Sequence, residues 1–142
     1  QRAAGRLWYD TMKKMNISDA ELELLKELWV ESPLTSRQLV DRLQVRTQWG
    51  EPTIKTLLLR LLRKKAVKRQ SQGKSFLYSA AIRRDEYQYT VSRSVIDRLF
   101  DGLAGNFLTC LVRNESFRPG ELEELRRLLD EKAAAQDEQQ PE

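Results

Sequence analysis

Glu51-Pro52-Thr53-Ile54-Lys55-Thr56-Leu57-Leu58-Leu59-Arg60-Leu61-Leu62-Arg63-Lys64-Lys65 is the stretch whose reading decides the fold. Ile54, Leu57, Leu58, Leu61 and Leu62 recur at the spacing that lines one side of an α-helix. Thr53, Thr56, Arg60, Arg63 and Lys64 fall on the opposite side, and Lys55 flanks them near the N-terminal end. Pro52 sits in the first turn, where its missing N–H costs nothing. The stretch therefore predicts a helix that is apolar on one face and hydroxyl-and-cation on the other. Such a helix fits the major groove of duplex DNA, where hydroxyls and cations read base edges and flanking Lys and Arg neutralise phosphates. The competing reading is a core helix with a solvated basic face, and the flanking sequence decides between them.

Downstream, Ala66-Val67-Lys68-Arg69-Gln70 and Ser75-Phe76-Leu77-Tyr78-Ser79 read as two strands, with Ser71-Gln72-Gly73-Lys74 as the hairpin turn. A lone hairpin is marginal and must pack on the helices. Upstream, Ser18-Asp19-Ala20-Glu21 is a capping box that opens a helix with a Leu22, Leu25, Leu28 and Trp29 stripe, ended by Pro33. Pro33-Leu34 suits a short extended segment. Thr35, with Gln38 in the box position, caps a second helix whose Leu39, Val40 and Leu43 face the core. Helix, short strand, helix, helix, hairpin is the order of a winged helix-turn-helix. The expected class is mostly α with a small β-hairpin.

Beyond the hairpin, Arg83-Arg84-Asp85-Glu86 opens a long helix running to about Gly102, with Tyr87, Val91, Val95, Leu99 and Phe100 as its stripe. Phe107, Leu108, Leu111 and Val112 suggest a shorter helix. Arg118-Pro119-Gly120-Glu121 starts a last one carrying Leu122, Leu125, Leu128 and Leu129. Roughly fifty residues in three amphipathic helices make a thin core without a partner chain. Self-association through Val95, Leu99, Phe100, Phe107, Leu108, Leu111, Leu122, Leu125, Leu128 and Leu129 resolves this. Packing back on the winged helix of the same chain is the alternative. The expected division is a leader or arm over 1–16, a winged-helix DNA-binding domain over 17–82, a three-helix dimerisation domain over 83–132, and a flexible tail over 133–142.

Charge follows the same division. The net charge of +4 over 142 residues hides an asymmetry. Residues 1–82 hold 16 Lys and Arg against 8 Asp and Glu, whereas residues 83–142 hold 9 against 13. No acid occurs between Pro52 and Arg84. A field of one sign on one half is what a polyanion selects. The chain has no histidine and one cysteine, Cys110. The commonest general base is thus missing, a zinc site lacks ligands, and Ser–His or Cys–His nucleophiles are excluded. The expectation is a non-enzyme without cofactor or metal. A lysine or carboxylate enzyme is the weaker reading, and no acid pair converges in the pattern. An internal disulfide is impossible, and no stretch approaches the ~20 apolar residues of a membrane-spanning helix. A cytoplasmic protein is expected.

The ordered set of residues resembles the penicillinase-repressor family of winged-helix transcriptional repressors. Ile17-Ser18-Asp19-Ala20-Glu21, Leu28-Trp29 and Pro33-Leu34-Thr35 are similar to that family's opening. Trp49, Thr53 to Leu58, Arg60-Leu61 and Lys64-Lys65 resemble its recognition-helix block, and Phe76-Leu77-Tyr78 its wing strand. Ser92-Arg93-Ser94, Asp97 to Phe100, Gly102 and Glu121 to Leu125 resemble its dimerisation segment. The resemblance implies a homodimer on palindromic operators upstream of resistance or stress genes. It implies base reading by Thr53, Lys55 and Thr56, and backbone contacts from Arg60, Lys64, Lys65, Arg69 and Lys74; Arg63, on the same face, joins the backbone set. Three places depart from the family pattern. Gly50-Glu51-Pro52 stands where many relatives have Ser-Pro-Lys, so a cation is missing. Cys110-Leu111 stands where relatives that answer to β-lactams are cut by a regulatory protease at Asn-Phe. The tail Asp137 to Glu142 lacks the cysteines of copper-responsive relatives.

A different class of function stays open: an adaptor whose winged helix binds an acidic protein. Retention on heparin and duplex DNA discriminates the two. Trp29 reads as core, Trp49 as packing against the third helix, and Cys110 as a small buried hydrophobe. Gly73-Lys74 reads equally as an exposed turn or as a wing tip on the sugar-phosphate backbone.

Overall fold

A computed structural model of the chain describes residues 15–139. It contains α1 (Asp19–Val30), α2 (Ser36–Arg46), α3 (Glu51–Arg63), β1 (Val67–Gln72), β2 (Ser75–Ala80), α4 (Arg84–Leu99), α5 (Ala104–Asn114) and α6 (Glu121–Gln139). The expected leader falls almost wholly outside the described residues.

Local chemistry sets the helix starts. Ser18 and Thr35 cap α1 and α2 through complete capping boxes closed by Glu21 and Gln38. Gly50 caps α3, with Pro52 in its first turn. β1 and β2 pair antiparallel with Val67 opposite Ala80 and Gln72 opposite Ser75. Leu34 adds a single bridge to Tyr78, with Leu34 N donating to Tyr78 O at 2.9 Å and Tyr78 N donating back at 2.7 Å. The hairpin packs with β1 against α3 and β2 against α1 and α2. Leu24, Leu25, Leu28, Leu39, Leu43, Ile54, Leu58, Leu61, Val67 and Tyr78 close one core among these elements. The fold is a winged helix-turn-helix followed by three helices.

Several expectations are corrected. The buried face of α1 is Glu21, Leu24, Leu25 and Leu28, and Leu22 lies at its margin. A buried acid at the first stripe position hid the true register. The turn is two residues, Gly73-Lys74, because Ser71 and Gln72 continue β1. Every residue of β1 after Val67 is exposed, so polar residues there carry no burial cost. Gly73 supplies the left-handed φ of +60°. Helix α4 stops at Leu99, and Asp101 and Gly102 take positive φ just beyond it. Cys110 is exposed, not a buried hydrophobe. The region from Ala133 is helical to Gln139, since Ala, Gln and Glu are strong helix formers.

α5 and α6 bury no residue of their own. Arg93 donates to Asp97 and to the Gly102 carbonyl, and Phe100 meets Phe107 edge-on at 5.5 Å, which ties α4 to α5. No helix among the described residues is long and apolar enough to cross a membrane.

Candidate nucleic-acid interface

Helix α3 turns Ile54, Leu57, Leu58 and Leu61 into the core. The pitch of the helix then forces Thr53, Lys55, Thr56, Arg60 and Arg63 outward, and all five are exposed. The Thr56 hydroxyl donates to the Pro52 carbonyl at 2.9 Å, which leaves its oxygen free to accept. Lys55 Nζ lies 3.0 Å from Glu51 Oε1, one turn back, and this cation holds the Glu51 carboxyl below the usual carboxylate range. Both side chains are exposed, so the pair is exchangeable for a phosphate or a base acceptor.

The end of α3 aims the last cations. Lys64 is the C-cap; Lys65 N donates to Leu62 O and Ala66 N to Leu61 O, with Lys65 at φ +63°. This is a Schellman closure with lysine where glycine is usual. It sends the chain into β1 and leaves Lys65 exposed. Lys64 turns the other way. Its Nζ donates to Glu21 Oε1 at 2.6 Å and also to the Asn16 carbonyl. Glu21 is only 2% exposed. Burial pushes the Glu21 carboxyl up, but Lys64 and Ser18 together pull it below its ordinary value. The structure thus engages Lys64 in an ion pair with Glu21 that spans the start of α1 and the end of α3.

On the wing, Arg69 lies over the Phe76 ring at 4.2 Å, a cation–π contact that holds the guanidinium on the hairpin face shared by Val67 and Tyr78. Lys74 stands exposed in the turn beside Gly73. Helix α3 and the wing together make one acid-poor, cation-rich surface, with Glu51 at its edge.

Leu59 escaped the sequence reading. It is 48% exposed, one turn from Lys55, beside a hollow of about 250 Å³ that Ser36, Leu58, Leu62 and Tyr78 also line. The signal was present: of the three consecutive leucines 57–59, a helix can bury only two. Trp29 and Trp49 both pack against the core, and the Trp29 indole donates to the Ile82 carbonyl at 2.9 Å. Neither is offered to a base stack.

The pattern that defines the penicillinase-repressor family matches residues 17–131. The chain belongs to the penicillinase-repressor family. Family members are transcriptional repressors, not enzymes. The penicillinase repressor of Bacillus licheniformis is 32% identical over 121 residues, spanning 84% of this chain and 94% of that protein. The methicillin resistance regulatory protein MecI of Staphylococcus aureus strain N315 is 28% identical over 120 residues, spanning 84% of this chain and 98% of that protein. Among solved structures, the Bacillus licheniformis BlaI monomer in complex with the blaP half-operator aligns at 36% identity, covering 51% of this chain and 88% of that one, with a TM-score of 0.46. Across the family match, the α3 face and the wing described above occupy the middle and α4 to most of α6 the second half.

Proposed function

We propose that this penicillinase-repressor family member is a homodimer that represses transcription by binding a palindromic operator of resistance or stress genes. The observation that carries the proposal is the exposed face of α3, hydroxyls and cations backed by a fully buried leucine stripe and flanked by the wing. Thr53, Lys55 and Thr56, on the first turns, would read base edges. Arg60, Arg63, Lys65, Arg69 and Lys74 would neutralise phosphates. Lys64, held by Glu21, is left out of that set.

The homodimer is supported by what α5 and α6 leave uncovered. Leu99, Leu108, Leu111, Leu122, Leu125, Leu128 and Leu129 are exposed, as are Leu103 and Val112, which the sequence reading did not assign to the interface. Val95, Phe100 and Phe107 are partly covered within the chain. Large apolar side chains left exposed in this number are the material of an interaction site. A two-fold axis through it would present two α3 helices about 34 Å apart, to successive major grooves.

Gel shifts on palindromic duplexes selected from the source genome test the reading. Changing Lys55 or Thr56 to Ala should relax base preference. Changing Arg60 or Lys65 to Ala should weaken all sequences alike and lower the salt slope by about one. If all four variants bind as the parent does, the α3 face is not the DNA site.

A further inference from the structure

A cleft of about 620 Å³ runs between α1 and α4, away from the α3 face. Trp29 and Tyr87 form an aromatic corner at one end, their ring centroids 5.9 Å apart. The Trp29 indole is fixed by its bond to the Ile82 carbonyl, so that wall is rigid. Leu22 and Val91, each one or two turns along its own helix, extend the apolar lining.

Lys26 and Arg84 bring positive charge to this corner, and the carboxylates of Asp19 and Glu21 act on Tyr87 there, with Lys64 engaging Glu21. Lys26 precedes Trp29 by three residues and Arg84 precedes Tyr87 by three, so each cation shares a helix face with its ring. Lys26 meets Glu23 only at 3.4 Å, with both side chains accessible to water. Arg84 has no ion pair among the described residues, unlike its neighbour Arg83, which holds Asp85. Asp19, the one acid among the described lining residues, lies two turns before Lys26. Arg98 also lines the cleft, but fourteen residues along α4 from Arg84 place it about 21 Å away.

We propose that the Trp29–Tyr87 end of this cleft binds a flat, apolar organic anion such as an aromatic carboxylate or sulfonate. Its ring lies on the Trp29–Tyr87 corner and its charge between Lys26 and Arg84. The walls belong to two parts of the chain: α1 to the winged helix, and α4 to the arm that leads to the exposed leucines of α5 and α6. A ligand held by both fixes the angle between them, and with it the separation of two α3 helices in a dimer. That coupling, and only that, rests on the DNA-binding reading above. By linkage, ligand and DNA then change each other's affinity by the same factor.

The test uses the full chain and anilinonaphthalene sulfonate as the probe, with uncharged N-phenylnaphthylamine as its control. The indole N–H resonance of Trp29 is followed by NMR. The expected result is a saturable shift of that resonance by the sulfonate. Lys26→Gln together with Arg84→Gln should weaken the sulfonate about tenfold or more, and leave the uncharged control unchanged. Arg98→Gln should leave both unchanged. A Trp29 resonance that does not move, or equal sulfonate binding by the double variant, overturns the site. A second arm measures duplex affinity with and without sulfonate. Sulfonate binding with an unchanged duplex affinity overturns the coupling. A chain that takes the sulfonate as described but binds no duplex refutes the DNA reading and leaves the site standing.

Discussion

Glu21 combines two tasks that a sequence pattern treats separately. Its Oε1 accepts from the Ser18 backbone N–H at 3.0 Å as part of the capping box, and from Lys64 at the end of α3. Its Oε2 is buried with no hydrogen-bond partner among the described residues, so the pair carries a desolvation cost that Lys64 and the Ser18 N–H together offset. Lys64→Met should therefore destabilise the fold by roughly 2 kcal/mol or more in chemical denaturation, while the salt slope of DNA binding stays unchanged. Because the folded Glu21 carboxyl lies below its ordinary value of 4.5, its contribution is present above that pH and is lost as pH falls through the folded value. The stability gap between the parent and Glu21→Gln should accordingly be widest near neutrality and shrink in acid. Lys65 is the complementary case, a lysine at φ +63° that any glycine would relieve. Lys65→Gly should raise stability by about 1 kcal/mol yet weaken DNA binding at every sequence. Glu51 restrains Lys55 from one turn away, so Glu51→Gln should tighten duplex binding about threefold at low salt and less at high salt.

At the scale of elements, α3 was legible but for the exposed Leu59 and the half-buried Leu62, because its buried residues all follow the helical period. α2 was legible for the same reason, and both capping boxes form as their spacing implied. α1 was legible as a helix but not in register, because its stripe begins with a carboxylate whose partner lies 43 residues away. The wing was legible in position and not in length: beyond Val67 every residue of β1 is exposed, so hydrophobic alternation had nothing to report at the tip. Arg69 carries a similar lesson, since its neighbour across the hairpin, Phe76, becomes visible only with the strand register. A double-mutant cycle of Arg69→Ala and Phe76→Leu should give a coupling of about 0.5–1 kcal/mol in stability. Cys110 was misread because the apolar stripe of α5 lies exposed on the chain rather than turned into its own core. Sequence periodicity marks an apolar face, and cannot say what covers it.

For the whole molecule, the division is between a winged helix with its own closed core and an arm whose last two helices have none. The first explains why Thr53, Lys55, Thr56, Arg60 and Arg63 can be held rigidly outward, and the second supports the proposed homodimer. Leu125→Asp with Leu128→Asp should give a monomer in sedimentation equilibrium, with the winged helix still folded. On a palindrome its affinity should fall about a hundredfold or more, while a single half-site is bound as before. The central claim is that the α3 face enters the groove. Backbone amide NMR of the chain titrated with a selected duplex tests it most directly. The largest shifts are expected at Thr53, Lys55, Thr56 and Arg60, smaller ones at Arg69 and Lys74, and none along α6. Shifts confined to α4 and α6, with the α3 amides unmoved at saturation, would contradict it.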